Sequence, residues 1–248
     1  MSDGINLCAV IPIYNHPDYL TILVEEFEAS NVPIILVDDG SEDHCRRVID
    51  NVVEQFQTVH LERHEVNRGK GAAIKSGLRA ALEQNFTHAL QIDADGQHAV
   101  NDVPKFVAAM KRHPQALIAG YPCYDNSIPR HRYYGRYASH IWVWINTLST
   151  TIIDSMCGFR IYPVAESVLL INSEKVGDRM DFDGEFIVRW FWTRQPLKQI
   201  GTHVIYPQNG VSHFQLFNDN RLITWMHTRL FFGMLRRLPM LLQRKWRA

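Results

Sequence analysis

The sequence predicts an α/β domain: a mostly parallel sheet with helices on both faces. Three observations carry this. Short runs rich in Val, Ile and Leu alternate with amphipathic stretches of helical spacing over the first 120 residues. The runs end in Asp, Gly, Asn or Pro, and the intervals between them suit crossover helices. In a chain of 248 residues, 46% hydrophobic and 21% charged positions exclude general disorder and leave a packed globular protein.

The elements follow in order. LCAVIPI (7–13) reads as the first buried strand, and residues 17–30 as a helix with the stripe Leu20, Leu23, Val24 and Phe27. PIILVDD (33–39) is the second strand, followed by a helix over 43–56 and a third strand, TVHLERH (58–64). Residues 70–84 form a helix through Ile74, Leu78, Ala81 and Leu82. THALQID (87–93), a helix over 102–112 and QALIAGY (115–121) complete the alternation. After residue 122 the pattern changes. Residues 123–137, rich in Arg and Tyr, read as a loop entering a helix. IWVWINTL (141–148) is an internal helix too short to span a bilayer. DSMCGFRIYP (154–163) looks like a turn, 183–194 like a helix, 197–206 like a strand and 207–220 like a polar loop. No repeat or linker divides the chain, so residues 1–220 read as one domain and 221–248 as a C-terminal helix.

Charge adds a second layer. Lys+Arg and Asp+Glu both number 26, which excludes a uniformly basic nucleic-acid binder. From Arg221 onward there are seven basic residues and no acidic one, leaving 19 basic and 26 acidic residues before it, a net of −7. Residues 222–242 are apolar but carry three arginines, a histidine and Pro239, which argues against a membrane crossing. On a helical wheel Arg229, Arg236 and Arg237 share one arc. Phe231, Met234, Leu235, Leu238, Leu241 and Leu242 share the opposite one. This reads as a basic amphipathic helix lying on an anionic membrane surface; a helix packed on the sheet, or a dimer contact, is the competing reading. Cys8, Cys45, Cys123 and Cys157 form no CxxC pair, and MSDGINL has no basic segment ahead of an apolar core. Reduced thiols, no signal peptide and a peripheral cytoplasmic protein at the inner face of the cell membrane are expected.

Sheets of this type bind ligands beyond the carboxyl ends of their strands, and three motifs fall there. In DADGQH (93–98), Asp93, Asp95 and Gln97 alternate, so an extended backbone puts three oxygen donors on one side, suited to Mg²⁺ or Mn²⁺. A solvated turn with a helix cap is the plain alternative. VDDGS (37–41) caps a helix or holds a nucleoside. NRGKGAA (67–73) brings two glycines and Lys70 to a helix N-terminus, where backbone N–H groups meet phosphate; it lacks the spacing of a Walker A loop. One nucleoside-diphosphate site with a bound metal accounts for all three.

In order and spacing, VIPIYN (10–15), VDDGS, NRGKGAA, DADGQH and CGFR (157–160) resemble the family 2 glycosyltransferases of the GT-A fold. Asp154 ahead of Gly158, Phe159 and Arg160 is similar to the dolichyl- or polyprenyl-phosphate mannosyltransferase branch. The resemblance implies a nucleoside pocket lined by Pro12, Tyr14 and Asp39, with Asp38 beside them at the donor site. It places Lys70 near the donor, and Asp93, Asp95 and Gln97 on the metal and diphosphate, with Asp95 at the reaction centre. It also implies an inverting transfer from a UDP- or GDP-sugar to a lipid-linked acceptor. A polyprenyl phosphate needs no general base, and Arg130, Arg132, Arg136 and Arg160 are candidates to grip it. A hydroxyl acceptor does need one, and FDGE (182–185) offers Asp183 and Glu185; acids at a helix N-terminus are the plain reading. The sequence departs from the branch at GYP (120–122), where relatives carry GSR, and at His213, where a lysine is usual. Two other classes stay open: a nucleotidyltransferase, although VIPIYNHP lacks that class's glycine-rich loop, and a non-catalytic membrane adaptor.

Overall fold

A computed structural model describes residues 4–96, 100–123, 130–203 and 216–247; the side chains of 130–136, 138, 216–218 and 245–247 lie outside that description. The first half follows the alternation read from the sequence: β1 (Leu7–Ile13), α1 (Leu20–Ala29), β2 (Ile34–Asp38), α2 (Asp43–Gln55), β3 (Val59–Arg63), α3 (Lys70–Glu83) and β4 (His88–Gln91). A 3₁₀ turn (Val100–Asp102) leads into α4 (Val103–Arg112) and β5 (Leu117–Cys123). The second half holds α5 (Arg130–Thr147), β6 (Arg160–Pro163), α6 (Val164–Ser173), α7 (Phe182–Trp192), β7 (Leu197–His203) and α8 (Leu216–Arg247).

The strands form one sheet in the order β3-β2-β1-β4-β6-β5-β7. All neighbours pair in parallel except β6, which runs antiparallel to both β4 and β5. Strand order reverses at β1, with β2 on one side and β4 on the other, and the crevice beyond their carboxyl ends is where such sheets take ligands. Alternation along buried strands feeds two cores. Val10, Val37 and Ala89 join α3, α6, α7 and α8 on one face. Ile11, Leu36 and Leu90 join α1, α2 and α4 on the other.

Two regions differ from the sequence reading. The segment read as a turn, 154–163, supplies a central strand, β6, whose four residues are all buried. Arginine and proline mask the strand pattern, and burial of Arg160 is tolerated because backbone carbonyls take up its donors. The C-terminal helix starts at Leu216 and is part of the body, burying Met226, Leu230, Met234 and Leu241. Its two arcs are split: two of the three arginines turn inward, and part of the apolar arc turns outward. Arg229 pairs with Glu185, and Arg237 pairs with Glu174 while lying over the Trp192 ring. Leu235 and Leu242 are exposed, as is Arg236. Hydropathy on a wheel cannot reveal this, because the acids that draw the arginines inward sit on other elements.

A buried imidazole joins α8 to α5. His227 Nε2 lies 3.0 Å from Ser139 Oγ, and its Nδ1 lies 3.4 Å from the Asn146 amide nitrogen. Burial pushes its pKa from 6.5 down to about 4. The unfolded chain therefore binds the extra proton between those two values, so this contribution is complete above about pH 6.5 and is lost as pH falls toward 4. At about 1.4 kcal/mol per unit, it is on the order of 3 kcal/mol. Thermal melts from pH 7 to pH 4 are expected to fall less steeply for His227→Gln than for the parent chain.

Candidate active site

The loops at the carboxyl ends of β1 and β2 are stitched together first. Asp39 N–H donates to the Ile13 carbonyl (2.9 Å), Asn15 N–H to Ser41 Oγ (3.1 Å) and Glu42 N–H to Asn15 Oδ1 (2.8 Å). Pro12 and Tyr14 sit half-buried here. Asp38 and Asp39, read from the sequence as facing the nucleoside, are instead turned into the protein. Asp38 is fully buried and accepts from Ser41 N–H (2.9 Å) and Arg63 Nε (2.8 Å). Asp39 accepts from Arg68 N–H (2.9 Å) and Gly69 N–H (2.7 Å), and its Oδ1 lies 2.7 Å from His64 Nδ1. Two backbone N–H groups and His64 hold this carboxylate, so Asp39 fixes the segment that delivers Lys70.

Lys70 is the first residue of α3, after Gly69 at φ +104°. A side chain at Gly69 would meet the Asp178 carbonyl at 2.5 Å, so only glycine lets the loop and the segment before α7 approach this closely. Lys70 Nζ donates to Asp93 Oδ2 (2.6 Å) and lies 3.4 Å from Asp183 Oδ2. Burial opposes its charge, but the Asp93, Asp183 and Asp95 carboxylates outweigh that and hold the ammonium above the ordinary lysine range. Four residues read separately from the sequence thus share one electrostatic cluster: Lys70 from α3, Asp93 and Asp95 beyond β4, and Asp183 in the first turn of α7.

The structure reassigns two other candidates. Arg160 is 1% exposed and donates to the carbonyls of Cys157 (2.9 Å), Asp183 (2.9 Å) and Ser155 (2.8 Å). It cannot reach a lipid phosphate; it folds the CGFR turn and anchors the backbone of Asp183. Glu185 is 0% exposed and accepts from Gly177 N–H (2.9 Å), Arg189 Nη2 (2.8 Å) and Arg229 Nη2 (2.7 Å). With both oxygens held by buried donors it cannot serve as a base. Asp183 differs: its Oδ1 accepts no hydrogen bond among the described residues, and the Arg160 guanidinium, through Nη1, stands 3.7 Å away.

Arg130, Arg132 and Arg136 lie on the first turns of α5, and their side chains are outside the described residues, as are Gln97 and His213. Cys157 is buried beside Gly120. Among the described residues no group of three or more His, Cys, Asp or Glu is assembled as a metal site. The donor chemistry nevertheless fits a hard divalent cation: Asp93 and Asp95 are both partly exposed, and both act on a positive charge that Lys70 now supplies.

Sequence reasoning missed Gln91 and Tyr162. Tyr162 Oη donates to Gln91 Oε1 (2.6 Å), and the fully buried Gln91 Nε2 has no hydrogen-bond partner among the described residues. A Cβ on Gly158 would lie 2.8 Å from Lys70 Nζ, 2.9 Å from Asp93 Oδ2 and 2.9 Å from Gln91 Nε2. The glycine of CGFR is therefore the floor on which the charged cluster rests. Gly158→Ala is expected to lower donor binding by about a few-fold, because the added methyl displaces the ends of Lys70, Asp93 and Gln91 from their common meeting point. Titration of nucleoside diphosphate into the variant, alongside a thermal melt, checks this.

Fold and site together define a nucleotide-sugar transferase of GT-A type, and the comparisons agree. The chain belongs to glycosyl transferase family 2, whose model matches residues 8–167. It is 26% identical over 202 residues to a dolichyl-phosphate beta-glucosyltransferase of Trichomonas vaginalis, covering 75% of this chain and 61% of that protein. It is 30% identical over 124 residues to a UDP-N-acetylglucosamine–dolichyl-phosphate N-acetylglucosaminyltransferase of Methanococcus voltae, covering 45% and 49%. The chain thus spans less than two thirds of the length of either relative. Among solved structures, glucosyl-3-phosphoglycerate synthase from Mycobacterium tuberculosis superposes with a TM-score of 0.67 at 13% identity, covering 93% of this chain and 80% of that one. A mannosyltransferase from Pyrobaculum calidifontis gives 0.58 at 14% identity, covering 94% and 64%. These likenesses establish the GT-A fold. The chain is thus a glycosyl transferase family 2 domain, and the nucleotidyltransferase reading falls away.

Proposed function

We propose that the chain transfers a sugar, with inversion, from a nucleoside-diphosphate sugar to a polyprenyl phosphate at the cytoplasmic face of a membrane. The observation that carries this reading is the cluster of Asp93, Asp95 and Asp183 around Lys70 at the carboxyl edge of the sheet. Relatives named for transfer to dolichyl phosphate support the acceptor. The Mycobacterium tuberculosis enzyme was crystallised with Mn²⁺ and UDP-glucose, and the Pyrobaculum enzyme was solved with Mn²⁺ and GDP-mannose. Both support a divalent metal and a UDP- or GDP-sugar donor here.

Asp93 and Asp95, with Gln97, are the residues to hold the metal. When bound, that ion offsets the negative charge growing on the leaving diphosphate. Lys70 sits beside the same carboxylates and supplies a second fixed positive charge toward the diphosphate. The acceptor oxygen forms its bond to C1 from the face opposite the breaking C1–O bond, and the diphosphate leaves with that electron pair. A phosphate acceptor is already ionised, so no side chain removes a proton. Arg130, Arg132 and Arg136, at the start of α5, are the residues proposed to hold it.

Asp183 keeps a second reading alive, transfer to a hydroxyl with Asp183 as base, because one of its oxygens accepts no hydrogen bond among the described residues. The two readings separate on Asp183→Asn assayed with labelled UDP- and GDP-sugars and polyprenyl phosphate, scoring acid-labile lipid product. With a phosphate acceptor the loss is expected to stay below about tenfold. A loss of about 100-fold or more is the signature of a missing general base and would point to the hydroxyl.

A further inference from the structure

We propose that the outer face of α8, with the adjoining exposed side of α5, docks on an anionic lipid bilayer through apolar side chains, the arginines of α8's inner side serving as internal clamps. The proposal rests on the lipid-acceptor reading for its purpose, and on the following geometry for its place.

Helix α8 is apolar on two sides. Its inner side is spent on the core through Met226, Leu230, Met234 and Leu241. Its outer side carries Trp225 (58% exposed), Phe232 (60%), Leu235 (44%) and Leu242 (43%). Their spacings of seven, three and seven residues place them in one stripe, about 25 Å long at 1.5 Å per residue. On α5, Tyr137, Ile141, Trp142 and Ile145 are also exposed, and the Trp142 ring stacks on His227 of α8 at 6.1 Å. The two exposed sets therefore meet along one helix pair. Isolated apolar residues on a surface need no explanation; a run of aromatic and aliphatic side chains along two packed helices does.

Charge selects the occupant. Arg221 and Arg236 are exposed on α8, and no acidic residue follows Arg221 anywhere in the chain. Two copies meeting through this stripe would bring basic flanks together without acids to answer them. Anionic headgroups supply the missing charge, while Trp and Tyr suit the boundary between headgroups and acyl chains. The inner side makes the docking rigid: Arg229 pairs with Glu185, Arg237 with Glu174, and Arg244 donates to the Phe191 carbonyl and lies over its ring. Glu185 and Asp181, both paired with Arg229, bracket Asp183. A bilayer held on one side of α8 is thus fixed in position relative to the charged cluster on the other. Helix α5, which begins with Arg130, Arg132 and Arg136, links the same surface to the proposed acceptor-phosphate residues.

Co-sedimentation with vesicles of phosphatidylcholine alone, and of phosphatidylcholine mixed with phosphatidylglycerol, tests this. The purified protein is expected to bind the mixed vesicles and far less the neutral ones. The triple variant Trp225→Ser, Phe232→Ser, Leu235→Ser is expected to lose at least about tenfold in vesicle partitioning, and Arg236→Glu to lose a smaller part. Transfer to a short water-soluble prenyl phosphate should be unchanged in both, which also shows that they fold. The proposal is overturned if the parent protein leaves the vesicles unbound, or if the triple variant binds them as the parent does. It is also overturned if sedimentation velocity shows a parent dimer that the variant dissolves without changing vesicle binding, which would make this face a contact between copies. Vesicle binding lost in the variant, with no transfer to any prenyl phosphate in the parent, would leave the docking surface standing and remove the acceptor reading alone.

Discussion

Asp93→Asn is expected to lower sugar transfer by about 100- to 1,000-fold while leaving the melting temperature within a few degrees of the parent. The size follows from what removal of one preorganised electrostatic group costs in an active site, about 3 to 4 kcal/mol of transition-state stabilisation. Asp93 is partly exposed, and its described ion-pair partner, Lys70, keeps Asp183 at 3.4 Å, so little of the fold depends on it. The neutral amide keeps the shape and removes the charge that both Lys70 and a divalent cation need. Steady-state release of nucleoside diphosphate, measured beside a thermal melt, reads both halves of the prediction. A variant that is active but poorly folded would reverse the roles assigned here.

Glu185→Ala is expected to do the opposite: unfold the protein without touching the chemistry of the molecules that remain folded. Its carboxylate is completely buried between Arg189 and Arg229, and Gly177 N–H completes its shell. Arg189 in turn reaches Glu174, which also holds Arg237. Removing one partner from such a network leaves two guanidinium groups facing an empty site, a loss of about 3 to 5 kcal/mol. Denaturant melts should show that loss as a lower midpoint. Activity per folded molecule, measured well below the transition, should stay within a few-fold. A variant of parental stability and no activity would restore Glu185 as a base.

How much of this was written in the sequence depends on the distance over which each feature is decided. Strands such as LCAVIPI and helices such as Lys70–Glu83 are local patterns, and they fall where periodicity puts them. The convergence of Asp93 and Lys70 was also legible, because one topological rule sends ligand-binding residues to the carboxyl ends of the parallel strands, along one edge of the sheet. β6 was not, since Arg160 and Pro163 interrupt the apolar alternation, and the carbonyls that make the arginine tolerable, those of Ser155, Cys157 and the distant Asp183, converge only in the folded chain. The inward turn of Arg229 and Arg237 was illegible for the same reason: their partners lie 44 and 63 positions away. Asp38, Asp39 and Glu185 look like any acid in a ligand motif until their oxygens are counted against the donors around them. Gly158 was marked by its motif, but its reason, three polar groups converging on one missing methyl, exists only in three dimensions.

We propose Asp93, Asp95, Asp183 and Lys70 as one centre for breaking a sugar–diphosphate bond in favour of a lipid phosphate. Its most direct test is release of nucleoside diphosphate by the purified protein from a panel of UDP- and GDP-sugars. Mn²⁺ or Mg²⁺ is present or chelated, polyprenyl phosphate is present or absent, and Asp95→Ala is the control. Release from one donor that requires both metal and lipid phosphate, and that vanishes in the variant, is expected. Release that persists in Asp95→Ala, or that ignores the lipid phosphate, would contradict it.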